Sequence, residues 1–308
     1  MLVSDARYCV FLTTAMASIL KNAAPEDRIR FHIVDAGLVK SSYDAIVKLT
    51  SKRTVRLALV KSSYDAIEKM KELRPFEIAY YKPDVSQYVK PDDSRFPTAI
   101  YYRLLAPQFL PESLDKIVYM DVDVAVLSSL RELWETPVDG VFVAAAVDRL
   151  MAPSHVAKIG LDENAVYFNS GLLVMNLKKW REDNVMDELF KLVDEMEGRL
   201  EFPDQDLLNV YASRNGYKLL SEEWNVHPKF YEEGKTKLLH YMGSRYNSPH
   251  IDILCKYAAL TPFKRLPFQS FTFHVRYWIR RIICQFLCLF LIRRRDRHVL
   301  RKIFYLRR

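Results

Sequence analysis

Two pairs of aspartates stand one residue apart in this chain, Asp121/Asp123 and Asp204/Asp206. Residues i and i+2 of a strand project to the same side, so carboxylates at that spacing can close on one divalent cation. Hard oxygen donors at a strand's carboxyl end, with coordination positions left open, suit Mg²⁺ or Mn²⁺ gripping a diphosphate. Context separates the two pairs. Asp121 and Asp123 follow the apolar run KIVYM and precede VAVL, where a buried strand ends. Asp204 and Asp206 open a helical stretch, and there Asp204 also reads as a plain N-cap. His240, in LLHYMGS, comes just after a short apolar strand and is a candidate third ligand. A lone histidine beside a strand is more often a hydrogen-bonded core or surface residue than a ligand. Asn169 and Gly171, in YFNSG, put an amide and a bare backbone at a turn before a strand, which ordinary turn chemistry also explains.

The surrounding elements alternate. Met1–Ser4 reads as the end of a strand and Tyr8–Leu20 as a helix. Phe31–Val34 is a strand running into the turn Asp35-Ala36-Gly37. Leu38–Ile46 and Leu59–Ile67 are the same nonamer, LVKSSYDAI, 21 residues apart. Each copy opens a helix followed by a strand-like run, Val55–Val60 and then Phe76–Tyr81, so residues 38–81 read as one duplicated helix–strand unit. A single duplication falls short of the ~3 copies a repeat architecture needs. Strands at Lys116–Met120, Val141–Val147 and Leu172–Met175 and helices at Lys178–Leu200 and Asp204–Ala212 complete the pattern. Strands alternating with helices predict an α/β domain over 1–260 with a largely parallel sheet.

In order and spacing, several of these strings resemble glycosyltransferase family 8, which includes bacterial lipopolysaccharide galactosyl- and glucosyltransferases. They are FHIVDAG (31–37), YYRLL (101–105), DKIVYMDVDVAVLSSLRELWE (115–135), YFNSGLLVMNLKKWRE (167–182), PDQDLLN (203–209) and HYMG (240–243). The resemblance implies the GT-A nucleotide-diphospho-sugar transferase fold, a UDP-sugar donor (UDP-glucose or UDP-galactose), and Mn²⁺ as the usual cation, with Mg²⁺ as the alternative. It also implies retaining hexosyl transfer to a cell-surface glycan or glycolipid acceptor such as lipopolysaccharide core.

Carried over residue by residue, Asp121, Asp123 and His240 would hold the metal. Imidazole beside carboxylates fits Mn²⁺ better than Mg²⁺. Asp5 and Tyr8 match the uracil-binding stretch. Arg103, Asp121, Val122 and Gly171 would line the donor site, and Gly243 would admit the diphosphate to the backbone. Asp148, Asn169 and Asp204 would hold sugar hydroxyls, with Gln205 beneath the anomeric carbon. The family often has an acid and an Asn where Ala6 and Arg7 stand. Where it usually carries a Lys-Pro-Trp after HYMG, this chain has Ser244-Arg245-Tyr246-Asn247, and Arg245 is the candidate phosphate contact.

Charge divides the chain. From Thr261 to Arg308 there are 13 Lys and Arg against one acid, Asp296, while the other 260 residues carry 33 basic and 37 acidic side chains. A slightly acidic globule with a polybasic tail is not the footprint of a nucleic-acid-binding body. Within the tail, Ile282–Ile292 is an apolar run of eleven residues interrupted by Gln285, short of the roughly 20 needed to span a bilayer. Arg280-Arg281 and Arg293-Arg294-Arg295 flank it, with Tyr277 and Trp278 just before. Residues 276–308 therefore read as an amphipathic segment lying on an anionic membrane, with a C-terminal helix packed on the body and a solvated basic end as the alternative. The implied location is peripheral, on the inner face of a bacterial cytoplasmic membrane. Ala15-Met16-Ala17 imitates a signal-peptide cleavage site, but Asp5 and Thr13-Thr14 break the pattern. Four cysteines without paired spacing suggest neither a disulfide framework nor a zinc ribbon. Two other readings accompany the transferase: a non-catalytic, membrane-bound nucleotide-sugar binder, and a haloacid-dehalogenase-like phosphatase, whose first motif Ile117–Val124 satisfies. The phosphatase also needs a strand ending in paired acids, which is not found.

Overall fold

A computed structural model describes residues 1–38, 63–85, 99–196, 198–243 and 248–267. Nine strands lie among them: β1 (Leu2–Ser4), β2 (Arg30–Asp35), β3 (Glu77–Tyr81), β4 (Lys116–Met120), β5 (Val124–Val126), β6 (Val143–Val147), β7 (Phe168–Asn176), β8 (Lys218–Leu219) and β9 (Leu238–His240). They form a parallel sheet β1-β2-β3, a sheet β4-β7-β6-β8 and a ribbon β5-β9. In the second sheet β7 runs antiparallel to both β4 and β6, and only β6 and β8 are parallel. The largely parallel sheet expected from the sequence is thus corrected to a mixed one. The physical reason is burial on both faces. Every residue from Phe168 to Met175 is buried, and a strand covered on both sides reads as a continuous apolar run whichever way it points.

Side chains leave these strands alternately for two cores. Met120, Leu172 and Val174 join one hydrophobic cluster, while Tyr119, Leu173 and Met175 join the other. The first cluster is closed by α1 (Cys9–Asn22), buried almost all round from Cys9 to Leu20. Its hydroxyls are satisfied internally: Thr13 and Thr14 donate to Val10 O, and Ser18 donates to Ala15 O. The second cluster is covered by helices from 177 to 215. The single helix expected over 178–200 is two, α2 (Leu177–Glu182) and α3 (Val185–Glu195), broken where Asn184 takes φ 48°. Asparagine tolerates that left-handed turn far better than most residues. Next comes α4 (Pro203–Asn215), whose first turn carries Asp204, Gln205 and Asp206.

Of the duplicated unit, Ser63–Glu68 is helical and leads to β3. The first copy beyond Leu38, and Val55–Val60, lie outside the described residues, as do Arg245 and the tail from 268. The packed body does not stop at residue 260: Thr261 and Leu266 are fully buried, and Leu266 belongs to the first core. No helix among the described residues is long and apolar enough to cross a membrane.

Candidate active site

The segment joining β4 to β5 is Asp121-Val122-Asp123. Its backbone is pinned on both sides, since Asp121 N donates to Gly171 O at 2.8 Å and Tyr241 N donates to Asp123 O at 2.9 Å. The β5-β9 ribbon sets Val124 opposite His240. His240 therefore lies beside the two aspartates, although more than a hundred residues separate them in the chain. One ligand atom from each of Asp121, Asp123 and His240 falls within 4.8 Å of the others. His240 Nε2 is 3.6 Å from Asp121 Oδ2 and 3.4 Å from Asp123 Oδ1. This is a mixed oxygen and nitrogen donor set around one point, which fits a divalent cation such as Mn²⁺.

Asp121 is oriented by its other oxygen. Oδ1 accepts from Tyr119 Oη at 2.6 Å and from Arg103 Nη2 at 3.0 Å, which leaves Oδ2 toward the histidine. Arg103 is buried and lies over the Tyr119 ring. Its Nη1 donates to Ser170 O and Oγ, and Nε stands 3.2 Å from Asp204 Oδ2. Burial works against this guanidinium's charge, but Asp121, with Asp204 and Asp123 behind it, holds its pKa above the usual arginine value. Asp204 shifts the other way for a carboxylate. Burial raises its pKa and the Asp121 charge adds to that, against the pull of Arg103 and a bond from Ser170 Oγ. For His240, burial lowers the pKa, but Asp123 and Asp121 more than offset it and the pKa rises.

Next to the acids is a knot of amides. Asn169 Nδ2 donates to Gln205 Oε1 at 2.9 Å and to Asp148 Oδ2 at 3.2 Å. Gln205 Nε2 donates to the same Asp148 oxygen, and Gln205 Oε1 accepts from Ser170 N. Asn169 and Gly171 lie within β7, not at a turn before it, and His240 ends β9 instead of following it. Gly171 has a steric reason to be glycine: a β-carbon there would fall 2.1 Å from His240 Cε1.

Arg103, Asp121, Asp123, Asn169, Gly171, Asp204, Gln205, His240 and Gly243 line one cleft of about 360 Å³, and Asp148 joins it through the amides. Gly243 sits at φ 84°, which favours glycine. Three expected residues do not line this cleft. Val122 turns its side chain into the hydrophobic core, because alternate residues of an extended segment face opposite ways. Asp5 and Tyr8 are not among the residues lining the cleft. Asp5 spends its carboxylate on the Arg7 and Tyr8 amides and on the Arg7 guanidinium. Asp206, at the spacing of a second carboxylate pair, points away from the cleft into a buried cluster with His155 and Tyr167. Ser170, Asn225 and Tyr119 were not picked out from the sequence. Tyr119 stands two residues before Asp121, so strand alternation alone places it on the same face.

Among the described residues, Asp121, Asp123, Asp204 and Glu201 line this cleft with a single arginine, Arg103. Such a lining repels a diphosphate unless a cation accompanies it.

The model of the family described as glycosyl transferase family 8 matches residues 1–245. The chain is 27% identical over 228 residues to a Haemophilus influenzae protein named as a glycosyltransferase, covering 73% of this chain and 62% of that one. It is 25% identical over 290 residues to a lipopolysaccharide 1,2-glucosyltransferase of Escherichia coli, covering 86% and 79%. The chain thus spans less than two thirds of the Haemophilus relative. The crystal structure of the galactosyltransferase LgtC, solved with donor and acceptor sugar analogues, has a TM-score of 0.61 at 21% identity, covering 85% of this chain and 95% of that one. The shared fold is GT-A.

Proposed function

The chain belongs to glycosyl transferase family 8, and from that premise we propose a retaining, metal-dependent hexosyltransferase. It moves glucose or galactose from a UDP-sugar to a cell-surface glycan such as lipopolysaccharide core. The observation that carries the reading is the juxtaposition of the Asp121–Asp123–His240 cluster with the Asn169–Gln205–Asp148–Asp204 group in one cleft. The Escherichia coli relative's name supports the acceptor class.

Asp121 Oδ2, Asp123 and His240 Nε2 would hold the cation, Mn²⁺ by donor type, which when bound supplies Lewis-acid stabilisation of a leaving diphosphate. Arg103 contributes fixed positive charge at the same place without any reorganisation, since four contacts already hold it. The amides of Asn169 and Gln205 and the carboxylates of Asp148 and Asp204 present both donors and acceptors to sugar hydroxyls. Both polar atoms of the Gln205 amide are engaged, and Asp206 is buried elsewhere. A double displacement would need Asp204, whose Oδ2 is held by Arg103 Nε and Ser170 Oγ, to leave those partners and attack C1. Same-face substitution is the step proposed, and a sugar trapped on Asp204 or Asp206 would overturn it. The bond from C1 to the phosphate oxygen breaks with its electron pair going to phosphate. The acceptor hydroxyl oxygen then bonds C1 and gives its proton to the departing β-phosphate oxygen.

The basic, aromatic-flanked segment 276–308 supports a peripheral position on the inner face of the cytoplasmic membrane, where a lipid-linked acceptor is met in two dimensions. The test is UDP release from a panel of UDP-sugars with Mn²⁺, Mg²⁺ or chelator, without acceptor. Mn²⁺-dependent release favouring UDP-glucose or UDP-galactose fits this reading. Metal-independent release contradicts it, and binding without release would favour a non-catalytic nucleotide-sugar binder.

A further inference from the structure

Asn225 stands in none of the strings that resemble the family, yet it is buried between the metal cluster and the sugar-facing amides. Its backbone takes φ 60°, a left-handed conformation uncommon outside glycine and asparagine. The residue after it, Val226, accepts from His240 N and donates to Leu238 O, so Asn225 is held at a fixed distance from the end of β9. Its side chain makes two contacts. Oδ1 lies 2.8 Å from His240 Nδ1, and Nδ2 donates to Asn169 Oδ1 at 3.0 Å.

These contacts have a direction, because two backbone groups that can only donate fix it. Gly171 N donates to Asn169 Oδ1 at 2.9 Å, and Ser170 N donates to Gln205 Oε1 at 3.0 Å. Asn169 must therefore turn its oxygen to Gly171 and its Nδ2 to Gln205 and Asp148. With that oxygen also facing Asn225, the Asn225 group pointing there must be the donor Nδ2. Its oxygen then faces His240, and the neutral imidazole must carry its hydrogen on Nδ1. The lone pair is left on Nε2, the nitrogen aimed at Asp121 and Asp123.

We propose that Asn225 is a positioning residue that fixes His240 in the Nε2-ligating tautomer and ties that choice to the amides that hold the donor sugar. This rests on the metal-dependent reading above. A hydrogen-bond partner of this kind sets both the ring orientation and the basicity of a metal-ligating histidine, and its loss typically costs 10–100-fold in metal affinity.

Two variants and two readouts test it in the full chain. Asn225→Gly removes the side chain while suiting the left-handed backbone. Asn225→Asp keeps an oxygen toward His240 and also tolerates that backbone. The first readout is ¹⁵N NMR of the His240 ring in metal-free protein at alkaline pH, assigned by the signal missing from His240→Gln. The second is Mn²⁺ affinity by calorimetry. The wild type should show the Nδ1–H tautomer. Asn225→Gly should show a mixture and bind Mn²⁺ roughly 10–100-fold more weakly, with Asn225→Asp recovering the tautomer and most of the affinity. A wild-type ring with hydrogen on Nε2, or Asn225→Gly with unchanged tautomer and Mn²⁺ affinity, overturns the proposal. Should wild type bind no Mn²⁺, the metal-dependent reading fails, and the tautomer measurement still decides the role of Asn225. If Asn225→Gly does not fold, the wild-type spectrum and Asn225→Asp decide it.

Discussion

Asp206 is fully buried and uses both carboxylate oxygens: Oδ1 accepts from Tyr167 Oη and faces His155 Nε2, while Oδ2 accepts from the Glu201 and Phe202 amides. Those bonds fold the chain just before α4 and so aim Asp204 and Gln205 into the cleft. Asp206→Asn replaces an acceptor with a donor among donors, and urea unfolding should show a loss of about 2 kcal/mol. Mass spectrometry during turnover should find no sugar on Asp206. At Gly171 the constraint is volume. Gly171→Ala must push the His240 ring aside, so Mn²⁺ binding measured by calorimetry should weaken at least tenfold while circular dichroism stays that of the wild type. The Asp121/Asp123 pair was legible in the sequence because its spacing and apolar context mark it locally, whereas His240 stood out only through the family resemblance. Asn225 was not legible, since it meets His240 across 15 residues and Asn169 across 56, and neither separation leaves a spacing signal.

At the level of elements, the positions of strands were legible and their directions were not. Apolar runs at 116–120, 141–147 and 172–175 mark burial, but burial on two faces gives the same run for parallel and antiparallel neighbours. The break between α2 and α3 turns on one asparagine. Asn184→Ala removes the short amide side chain that makes φ 48° tolerable at that turn and should cost about 1 kcal/mol in thermal or urea unfolding, with Asn184→Gly close to neutral. The end of β2 has a pH signature. Burial raises the pKa of Asp35, but bonds from Tyr64 Oη and the Leu38 and Gly37 amides bring it below the ordinary carboxylate value. A folded-state pKa below the unfolded one gives stability that is complete at neutral pH and lost as pH falls through the folded value. Unfolding measured across the acid range should therefore show a shallower acid-side decline in Asp35→Asn than in wild type.

Across the whole molecule, charge of opposite sign is concentrated in an acidic cleft within a slightly acidic body and, along the sequence, in a polybasic tail. The change of composition near 261 was legible, but the end of the packed body was not, because Leu266 lies beyond it and still fills the core. Ending the chain after Leu260 should destabilise the body by roughly the 2–5 kcal/mol of losing a buried leucine. Ending it after Pro267 should preserve acceptor-free UDP release and lower transfer to a membrane-embedded acceptor. The central claim is that this acidic cleft takes a nucleotide diphosphate only together with a divalent cation. Titrating UDP into the full chain by calorimetry, once with Mn²⁺ and once with chelator, tests it most directly. Binding should be tight with Mn²⁺ and about 100-fold or more weaker with chelator, with the same loss in Asp123→Ala with Mn²⁺ present. Equal UDP affinity with Mn²⁺ and with chelator would contradict it.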